Sequence, residues 1–531
     1  MRTFGTHGPV NPEDHYVVSR RVEIADFIKR VKQGKYIVIF APRQTGKTTF
    51  FQWAVDALTD DTDDTYFPIE LNFEVYADYT RSDFYPSLYE RIYDEVEGVF
   101  KKRGAVLSEK LSDFLKNTEI NDQVTMLEFF QDFGDFLGEE KLVLIIDEFD
   151  GIPRDAINGF LHALRSIYVQ RSMRKCPYSV GIVGVKNVTQ LNLNRSISPF
   201  NIQDEFTLPN FTLEQVCELF EQYTDEVGQT FDPEVLENIH RQTAGQPFLV
   251  NRFAQILTEE MHIPKKETIT MTHFSNAHIE IREEDNANLS HLMANIRRDP
   301  RYRTLLMRIL SYESGVRFNP RDDNISELTT LGVIGKASDG MCEIVNPIYQ
   351  YCIMQAFKPT INGLEQDYLT DDTNFLDYLT QTGEINMELL LDNFQNFITR
   401  VGYRILQVPD TPKEFVGQDL LYAYLDQFVS LIRGAMFLEV QTGRGRMDLI
   451  IFHNGHKYIV ETKIWEGKMR YDAGIKQLSA YLKSERVSEG YYVVFDHRNE
   501  PEPRVEIETI ESISIRCYVI PVIQEMPSKS I

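Results

Sequence analysis

The stretch "APRQTGKTT" (residues 41–49) follows the apolar run "YIVIF" (residues 36–40) and opens the segment "KTTFFQWAVDAL" (residues 47–58). In that segment apolar residues recur at steps of three and four, which is typical of an amphipathic helix. A buried strand, a loop and a helix in this order are the context in which backbone N–H groups surround phosphates. Gly-Lys-Thr alone is a weak signal, so the flanking strand and helix decide the interpretation. The sequence predicts a phosphate-binding loop.

The polar residues of this loop suit ATP and Mg²⁺ as cofactors. Lys47 would reach the β- and γ-phosphate oxygens, and the hydroxyl of Thr48 would bind Mg²⁺. Ala41 stands where such a loop usually begins with glycine, and alanine is tolerated there if its φ is negative. The predicted nucleotide-binding residues of the loop are Gln44, Thr45, Gly46, Lys47, Thr48 and Thr49.

A second motif, "KLVLIIDEFD" (residues 141–150), lies about a hundred residues further on. A short apolar strand, Leu142–Ile146, would carry Asp147 and Glu148 to its carboxyl end, where ligands bind in open α/β sheets. Asp147 suits the outer shell of the Mg²⁺, and Glu148 would orient the attacking water. An acidic turn after a core strand is the simpler interpretation of this motif alone. Its spacing from the loop leads us to expect the two strands side by side.

Five segments together resemble a known family: "VVSRRVEI", "APRQTGKTT", "LIIDEFD", "LPNFTLEQV" and "TAGQPFLVNRFAQIL". They are similar to the archaeal-type, STAND-related AAA-like P-loop ATPases over about residues 10–360. The resemblance implies that Arg20 contacts the nucleotide beside the adenine, where Ser19 replaces the usual glycine. It also implies that Gly245–Pro247, with Pro247 in the binding set, belongs to a helical lid that touches the nucleotide.

The resemblance extends to a segment, "SELTTLGVIGKASDGMCEIVNPIYQYCI", that is similar to the winged-helix module closing such ATPases. Its own pattern agrees, because a helix precedes two short strands around the turn "SDG". Winged helices bind DNA or pack as regulatory lids, and both roles are open here. In this class of ATPase a polar residue after the third strand, Tyr178–Val185, senses the γ-phosphate, and Asn187 is the candidate against an ordinary turn asparagine. Arg195 is either an arginine finger for a neighbouring subunit of a homo-oligomer or a surface arginine.

Another chemistry is indicated by "GRGRMDLIIFHNGHKYIVETKIW" (residues 443–465). A hairpin through "HNGHK" would place Asp448 beside Glu461. Strand alternation puts Glu461 and Lys463 on one face and Thr462 on the other. Two carboxylates suit one or two Mg²⁺ ions (or Mn²⁺) that activate water, and Lys463 would stabilise the charge developing on a phosphodiester. The simpler alternative is a hairpin with exposed charges.

Flanking features favour the chemical interpretation. The following helix, "AGIKQLSAYLKSE", carries Gln477 and Tyr481 four residues apart on one face, and the apolar strand "GYYVVFDH" comes next. Over about residues 386–531 the sequence resembles the PD-(D/E)XK nuclease superfamily, in the branch fused to AAA-like ATPases. The resemblance implies a catalytic set of Asp448, Glu461, Lys463 and Gln477, with Tyr481 completing the helix motif.

The same resemblance leaves some positions open. Met447 replaces the proline that usually precedes the aspartate. The family's first acidic residue lies on an earlier helix, where Glu414 is the candidate and Gln418 and Asp426 are rivals. Arg444 and Arg446 flank the site, with glycine neighbours that permit close approach of a backbone, and would grip the scissile phosphate.

Bulk properties limit the classes of partner. The chain of 531 residues carries a net charge of −25, which disfavours loose coating of nucleic acid by long-range attraction. The absence of a long uncharged apolar run predicts no membrane span, and no signal-peptide core is visible. Five cysteines without CxxC spacing suit reduced thiols. We therefore expect a cytoplasmic protein.

The predicted fold class is multidomain α/β: a P-loop AAA-like ATPase with helical lid, a winged helix and a C-terminal restriction-endonuclease-like α/β domain. The predicted boundaries are 1–208 for the ATPase core, 209–284 for the lid, 285–358 for the winged helix, 359–385 for a linker and 386–531 for the nuclease domain. The predicted function is an ATPase that controls a metal-dependent nuclease, with DNA favoured over RNA, in prokaryotic defence or mobile-element biology. The alternatives are a regulatory scaffold that binds nucleic acid without cutting and an ATP-driven translocase.

Overall fold

The protein forms two compact units. A computed structural model describes residues 2–42, 44–59, 65–169, 175–184, 203–284, 287–310, 316–356, 375–405, 413–439, 447–498 and 501–522. The first unit is His7–Asn210, and the second joins Met1–Thr6 to Phe211–Ile531. Most of residues 1–208, predicted as the ATPase core, fall in the first unit, and the segments predicted as lid, winged helix and C-terminal domain fall in the second unit. The boundaries between these predicted domains stay predictions.

The first unit is a parallel sheet with helices on both faces. Its strands are β1 (Tyr36–Phe40), β2 (Tyr66–Asn72), β3 (Lys141–Asp147), β4 (Ser179–Gly184) and β5 (Gln203–Glu205). They are arranged in the order β2-β3-β4-β1-β5, and every pair is parallel. The helices are α1 (Arg21–Lys32), α2 (Lys47–Thr59), α3 (Arg81–Lys102), α4 (Glu109–Asn117), α5 (Gln123–Leu137) and α6 (Ile157–Val169), with a two-residue strand at His15–Tyr16 and short 3₁₀ turns at Glu74–Tyr76 and Phe149–Gly151.

Successive residues of each central strand point into different cores. Leu144 and Ile146 pack with residues of α3 to α6, whereas Val143 and Ile145 pack on the other face with α1 and α2. A parallel strand buried on both faces needs an almost continuous apolar run, which is what Lys141–Asp147 supplies. The loops after the strands are thereby held at one edge of a rigid sheet.

The expected side-by-side placement of the loop strand and the acidic strand is wrong. Strand β4 lies between them, because Tyr36 pairs with Val180 on one side and Val143 pairs with Ser179 on the other. The spacing along the chain does not determine which strand a crossover returns beside. The phosphate-binding loop and Asp147 still meet, since the carboxyl ends of all parallel strands lie at the same edge.

The second unit begins with helices that match the predicted lid in position. They are α7 (Leu213–Val227), α8 (Pro233–Thr243), α9 (Pro247–Gln255), which continues into a π-helical turn at Ile256–Glu260, and α10 (Met271–Glu283). The segment predicted as a winged helix contains α11 (Ala287–Arg298), α12 (Pro300–Leu310), α13 (Asp323–Thr330), β6 (Ile334–Lys336), β7 (Cys342–Ile344) and α14 (Pro347–Ala356). Strands β6 and β7 form the antiparallel pair expected around the turn "SDG".

The C-terminal part of this unit is a mixed sheet with helices α15 (Met387–Ile405), α16 (Lys413–Leu431) and α17 (Lys468–Ser484) and a 3₁₀ turn at Phe375–Tyr378. Its strands are β8 (Ala435–Glu439), β9 (Met447–His453), β10 (His456–Ile464), β11 (Glu489–Asp496), β12 (Arg504–Ile510) and β13 (Ile513–Pro521), in the order β8-β9-β10-β11-β13-β12. Strands β8 to β10 are antiparallel, and β10, β11 and β13 are parallel. The β9–β10 hairpin turns at Asn454-Gly455, both at positive φ, which this pair of residues favours.

Candidate functional site

The predicted phosphate-binding loop connects β1 to α2 in the first unit. Gln44 and Gly46 have φ of 60° and 80°, so the backbone reverses there in the left-handed region. The hydroxyl of Thr45 donates to the carbonyl of Pro42 at 3.0 Å, which closes the loop. Ala41 is buried, and its N–H donates to the carbonyl of Gly184 at 3.3 Å. The alanine thus sits at the sheet edge with no need for the positive φ that glycine would permit, since it is not among the positive-φ residues.

Lys47 and Thr48, which are predicted to contact the phosphates and Mg²⁺, lie at the start of α2. The ammonium of Lys47 is buried and donates to the carbonyls of Ala41 at 2.9 Å and Pro42 at 2.8 Å. The hydroxyl of Thr48 donates to Oδ2 of Asp147 at 3.0 Å. A hydroxyl next to a carboxylate is the donor set that Mg²⁺ prefers. The hydroxyl of Thr49 instead accepts from the N–H of Val10 at 3.1 Å, so that side chain is engaged by the N-terminal segment.

Glu148 has a backbone conformation that non-glycine residues seldom adopt. Its φ is 48°, and its N–H donates to Oδ1 of Asp147 at 2.9 Å. Such left-handed residues cost on the order of 1–3 kcal/mol and cluster at functional sites. Asp147 is buried, and the predicted role of Glu148 in orienting the attacking water stays a prediction.

Glu70 is a candidate residue that the sequence interpretation missed. It lies on β2, two positions before Asn72, which pairs with Asp147. Burial, and then the charge of Asp147, raise the pKa of Glu70 to about 6. A glutamate inside the apolar strand "YFPIELN" was the available signal, because a carboxylate is seldom placed in a core strand without a reason.

Arg20 occupies the position predicted for the adenine contact. It precedes α1 with a φ of 44°, and its Nη1 donates to the carbonyl of Pro209 at 2.8 Å. Burial lowers the pKa of Arg20 to about 10, with a partial offset from Glu23. The side chain therefore links the start of α1 to the end of the first unit, and its contact with a nucleotide stays a prediction.

Other predicted nucleotide contacts stay predictions as well. Asn187 and Arg195 lie outside the described residues. The predictions that depend on them, a γ-phosphate sensor and an arginine finger in a homo-oligomer, therefore stay predictions. Gly245 has a φ of 68°, and a side chain there would meet the carbonyl of Phe211, so this lid turn requires glycine. Pro247 begins α9, and the side chain of Gln246 caps that helix by accepting from the N–H of Leu249 at 2.7 Å.

In the C-terminal sheet, the hairpin register places Asp448 directly opposite Glu461, as predicted. The register of the next strand places Glu439 opposite Asp448. Residues directly opposite each other share one face of a sheet, so these three positions form a row across β8, β9 and β10. The sequence interpretation missed Glu439, because only the pairing of β8 with β9 brings it into the row. Arg444 and Arg446 lie outside the described residues.

Glu461 and Lys463 share a face, as strand alternation predicts. Glu461 is 1% exposed, and its carboxylate lies 3.4 Å from the ammonium of Lys463, which is 20% exposed. On α17, Gln477 is exposed, whereas the hydroxyl of Tyr481 is buried without a hydrogen-bond partner among the described residues. A buried anion beside a partly exposed cation is an arrangement that can bind a metal and a phosphate side by side.

The three candidates for the first acidic residue lie on α16. The side chain of Glu414 is outside the described residues. Gln418 is 1% exposed, and its amide has no hydrogen-bond partner in the part of the chain that the structure describes. Asp426 forms an ion pair with Arg282 of the lid at 3.3 Å and accepts from the hydroxyl of Tyr351 at 3.5 Å. The structure therefore gives Asp426 a role in packing against the lid and the winged-helix segment.

This packing holds the edge strand β8. Arg282 is almost completely buried, donates to the carbonyl of Met436 at 2.9 Å and stacks 4.0 Å from the ring centroid of Tyr351. The amide of Gln242 donates to the carbonyl of Leu438 at 3.2 Å and contacts His278. Burial lowers the pKa of His278 well below its usual value, so a neutral ring packs on Phe437. Two backbone carbonyls of this edge strand, those of Met436 and Leu438, thus accept hydrogen bonds from side chains of the lid.

We expect Asp426→Ala to destabilise the second unit by about 1.5–3 kcal/mol, because it leaves the buried guanidinium of Arg282 without its carboxylate. Calorimetric unfolding of the full chain measures this change. Asp472→Ala, which removes an exposed ion pair with Lys468, is the control and should change stability by no more than about 0.5 kcal/mol. An Arg282→Met/Asp426→Leu double variant should recover much of the loss. Equal unfolding of Asp426→Ala and wild-type protein would contradict the assignment.

Within the described residues, no helix is long and apolar enough to cross a membrane. The five cysteines are unpaired thiols, and no group of three or more histidine, cysteine, aspartate or glutamate side chains in that part of the chain is arranged as a metal site.

Several known proteins are similar to this chain. The Walker-type ATPase PABY2304 of Pyrococcus abyssi is 13% identical, covers 66% of this chain and 99% of its own length, and has a TM-score of 0.46. The Aeropyrum pernix ORC1 protein, solved in complex with DNA, is 14% identical with a TM-score of 0.32 and covers 64% of this chain and 92% of its own. An uncharacterized WD repeat-containing protein of Synechocystis is 24% identical over 263 residues, which are 47% of this chain. The match spans only 20% of that relative's length.

Two family models match successive parts of the chain. Residues 386–499 match a domain of unknown function, DUF8371. Residues 6–354, which contain the parallel sheet, the phosphate-binding loop, the lid and the winged-helix segment, match the AAA-like domain model. Since this match covers more than half of the 531 residues, the chain belongs to the AAA-like domain family.

Proposed function

We propose that the chain binds and hydrolyses ATP and that its nucleotide state controls a metal-dependent nuclease in the C-terminal domain. The substrate would be nucleic acid, with DNA favoured over RNA, and the setting prokaryotic defence or mobile-element biology. The membership in the AAA-like family supports the ATP half of the proposal. The facing strand positions of Asp448 and Glu461, and the contact of Lys463 with Glu461, support the nuclease half.

The residues of the loop suit ATP hydrolysis. Thr48 and Asp147, 3.0 Å apart, would hold Mg²⁺, which neutralises charge on the phosphates when bound. Lys47 would exchange the loop carbonyls that it now contacts for phosphate oxygens, which are stronger acceptors for an ammonium group. Glu148, which directly follows Asp147 in a left-handed backbone conformation, would accept a hydrogen bond from the attacking water and orient it.

The C-terminal row suits phosphodiester cleavage. The carboxylates of Asp448 and Glu461, on facing strand positions, would hold Mg²⁺ or Mn²⁺, which activates water and stabilises charge on the phosphate when bound. The ammonium of Lys463 would stay near Glu461 and offer a positive charge to the phosphate. Because Glu461 is 1% exposed, a cation bound to its carboxylate would be largely shielded from water, and opposite charges attract each other more strongly in such surroundings.

One observation supports coupling of the two activities. The carbonyl of Leu438 accepts from Gln242 of the lid, and the next residue, Glu439, is paired with Asp448. Gln242 itself lies three residues before Gly245, in the lid segment that the family resemblance assigns to nucleotide contact. A conformational change of the lid would therefore move β8, the strand that carries the Glu439 position of the candidate nuclease row.

The proposal predicts that ATP changes the cleavage rate by more than its effect as a metal chelator. A ligand shifts such a balance only if it binds one conformation better than another. Cleavage of plasmid, single-stranded DNA and RNA by the full chain is measured against ATP concentration at fixed free Mg²⁺. Glu148→Gln, which should hold ATP unhydrolysed, is expected to show the largest response, and Lys47→Ala is expected to show none.

Lys35→Ala is the control for this experiment, since Lys35 lies at the opposite end of β1 and pairs with Asp204. It should respond to ATP as the wild-type chain does. Flat and overlapping curves for all variants, with cleavage present, would refute the coupling. Absence of cleavage on every substrate with Mg²⁺ or Mn²⁺ would favour the alternative, a nucleotide-dependent scaffold that binds nucleic acid without cutting it.

A further inference from the structure

A cluster of aromatic and cationic side chains lies where strand β10 ends. Trp465 follows the strand, and its N–H donates to the carbonyl of Phe495 at 2.9 Å, so the extended backbone continues for one more residue. Strand alternation then places Trp465 on the same side as Glu461 and Lys463. This cluster, which we call the Trp465 surface, comprises Trp465, Lys468, Tyr471, Arg498 and Arg504.

The members of the Trp465 surface contact one another through their flat faces. The guanidinium carbons of Arg498 and Arg504 lie 4.7 Å and 4.9 Å from the ring centroid of Trp465. The rings of Trp465 and Tyr471 are 5.2 Å apart, and Arg504 is also 4.8 Å from the centroid of Tyr471. The ammonium of Lys468 lies 5.1 Å from the Tyr471 ring.

Carboxylates hold the two arginines in place, and part of each arginine side chain stays exposed. Nε and Nη2 of Arg498 donate to the fully buried Asp496 at 2.9 Å and 2.7 Å, whereas the arginine side chain is 44% exposed. Arg504 pairs with Glu506 at 3.1 Å, and its side chain is 29% exposed although its Nε and Nη2 are buried. Because a carboxylate accompanies each arginine, the surface has little excess positive charge. Its distinguishing feature is the partly exposed ring of Trp465 next to two guanidinium groups, with the buried ring of Tyr471 beside it.

We propose that the Trp465 surface binds an unpaired segment of a nucleic-acid strand beside the candidate nuclease row, an inference that rests on the proposed function. A nucleobase would stack against Trp465 and the guanidinium planes, and the arginines and Lys468 would contact phosphates, as in other single-strand binding surfaces. Unpaired bases are favoured because a base in a duplex is already stacked on its neighbours. Stacking also suits an acidic chain, since it needs no long-range attraction.

The test uses the full chain in EDTA, so that binding is measured without cleavage. The sequence has two tryptophans, Trp53 and Trp465. The titration uses the Trp53→Phe variant and an unlabelled oligothymidylate of about 12 nucleotides, a length within the site sizes of single-strand binding folds. This oligonucleotide should quench the fluorescence of Trp465 saturably. Its hairpin duplex counterpart should bind more weakly. In anisotropy titrations with a labelled oligonucleotide, Trp465→Ala should weaken binding by about 5- to 100-fold.

Arg498→Gln and Arg504→Gln should each lower the slope of log affinity against log salt by about 0.7. Lys483→Ala is the matched control, because Lys483 lies at the other end of α17 and pairs with Glu511. It should leave affinity unchanged. Binding without quenching of Trp465, or equal affinity of the Trp465→Ala and wild-type chains, would overturn the inference, and so would an absence of binding. Quenching and mutant effects without any cleavage in Mg²⁺ would support the inference and reject the nuclease activity instead.

Discussion

Lys47→Ala is expected to weaken ATP binding by about 10- to 150-fold, because it removes charge-assisted hydrogen bonds worth about 1.5–3 kcal/mol to the phosphates. In the structure the Lys47 ammonium is buried and donates to the neutral loop carbonyls of Ala41 and Pro42. A phosphate at the loop would offer it a stronger, charged acceptor. Equilibrium binding of a fluorescent ATP analogue to the full chain measures the change.

Glu148→Gln makes the complementary change at the same site. It should leave ATP affinity close to the wild-type value and lower the hydrolysis rate by about 10²–10⁴-fold, the range for loss of a general base or water-orienting group. Lys35→Ala should alter neither quantity. If Lys47→Ala hydrolysed ATP at the wild-type rate, the loop would not be the ATP site. If Glu148→Gln did so, the attacking water would be oriented by another residue, and Glu70 would be the first to test.

Glu461→Gln is expected to eliminate detectable cleavage of nucleic acid, because a neutral amide in a buried strand position no longer attracts a divalent cation. The substitution keeps the shape of the side chain, so the sheet should stay folded. Lys463→Ala should lower the rate by about 10²–10³-fold and leave metal affinity largely intact, since the ammonium acts on the phosphate. Cleavage assays and calorimetric titration with Mn²⁺ separate the two effects.

Glu508→Gln, on strand β12 of the same sheet, is the control for Glu461→Gln and should cleave normally. Asp448→Ala should behave as Glu461→Gln does, because the register places the two residues opposite each other. Metal binding and cleavage that survive in Asp448→Ala would show that the hairpin is not a catalytic site. If Glu461→Gln lost cleavage but still bound metal, other residues would have to hold the metal. Glu439, which lies opposite Asp448 in the row, would be the first to test.

Local sequence patterns determined the parts of this protein that depend on neighbouring residues. The apolar run at residues 36–40 and the amphipathic segment after Gly46 predicted the strand, loop and helix that the structure contains. The turn pair Asn454-Gly455 and the alternation around it predicted the pairing of Asp448 with Glu461. These features were readable because the period of a strand or helix and the φ preference of a turn residue act within a few residues.

Only the tertiary structure decided which distant segments meet. It placed β4 between β1 and β3, brought Glu70 near Asp147 and added Glu439 to the row of facing strand positions. In sequence, Asp426 looks like any acid on a helix before the nuclease motif, yet it pairs with Arg282, 144 residues away. Strand order and burial depend on how whole elements pack, and no local pattern encodes which buried charge will find which partner.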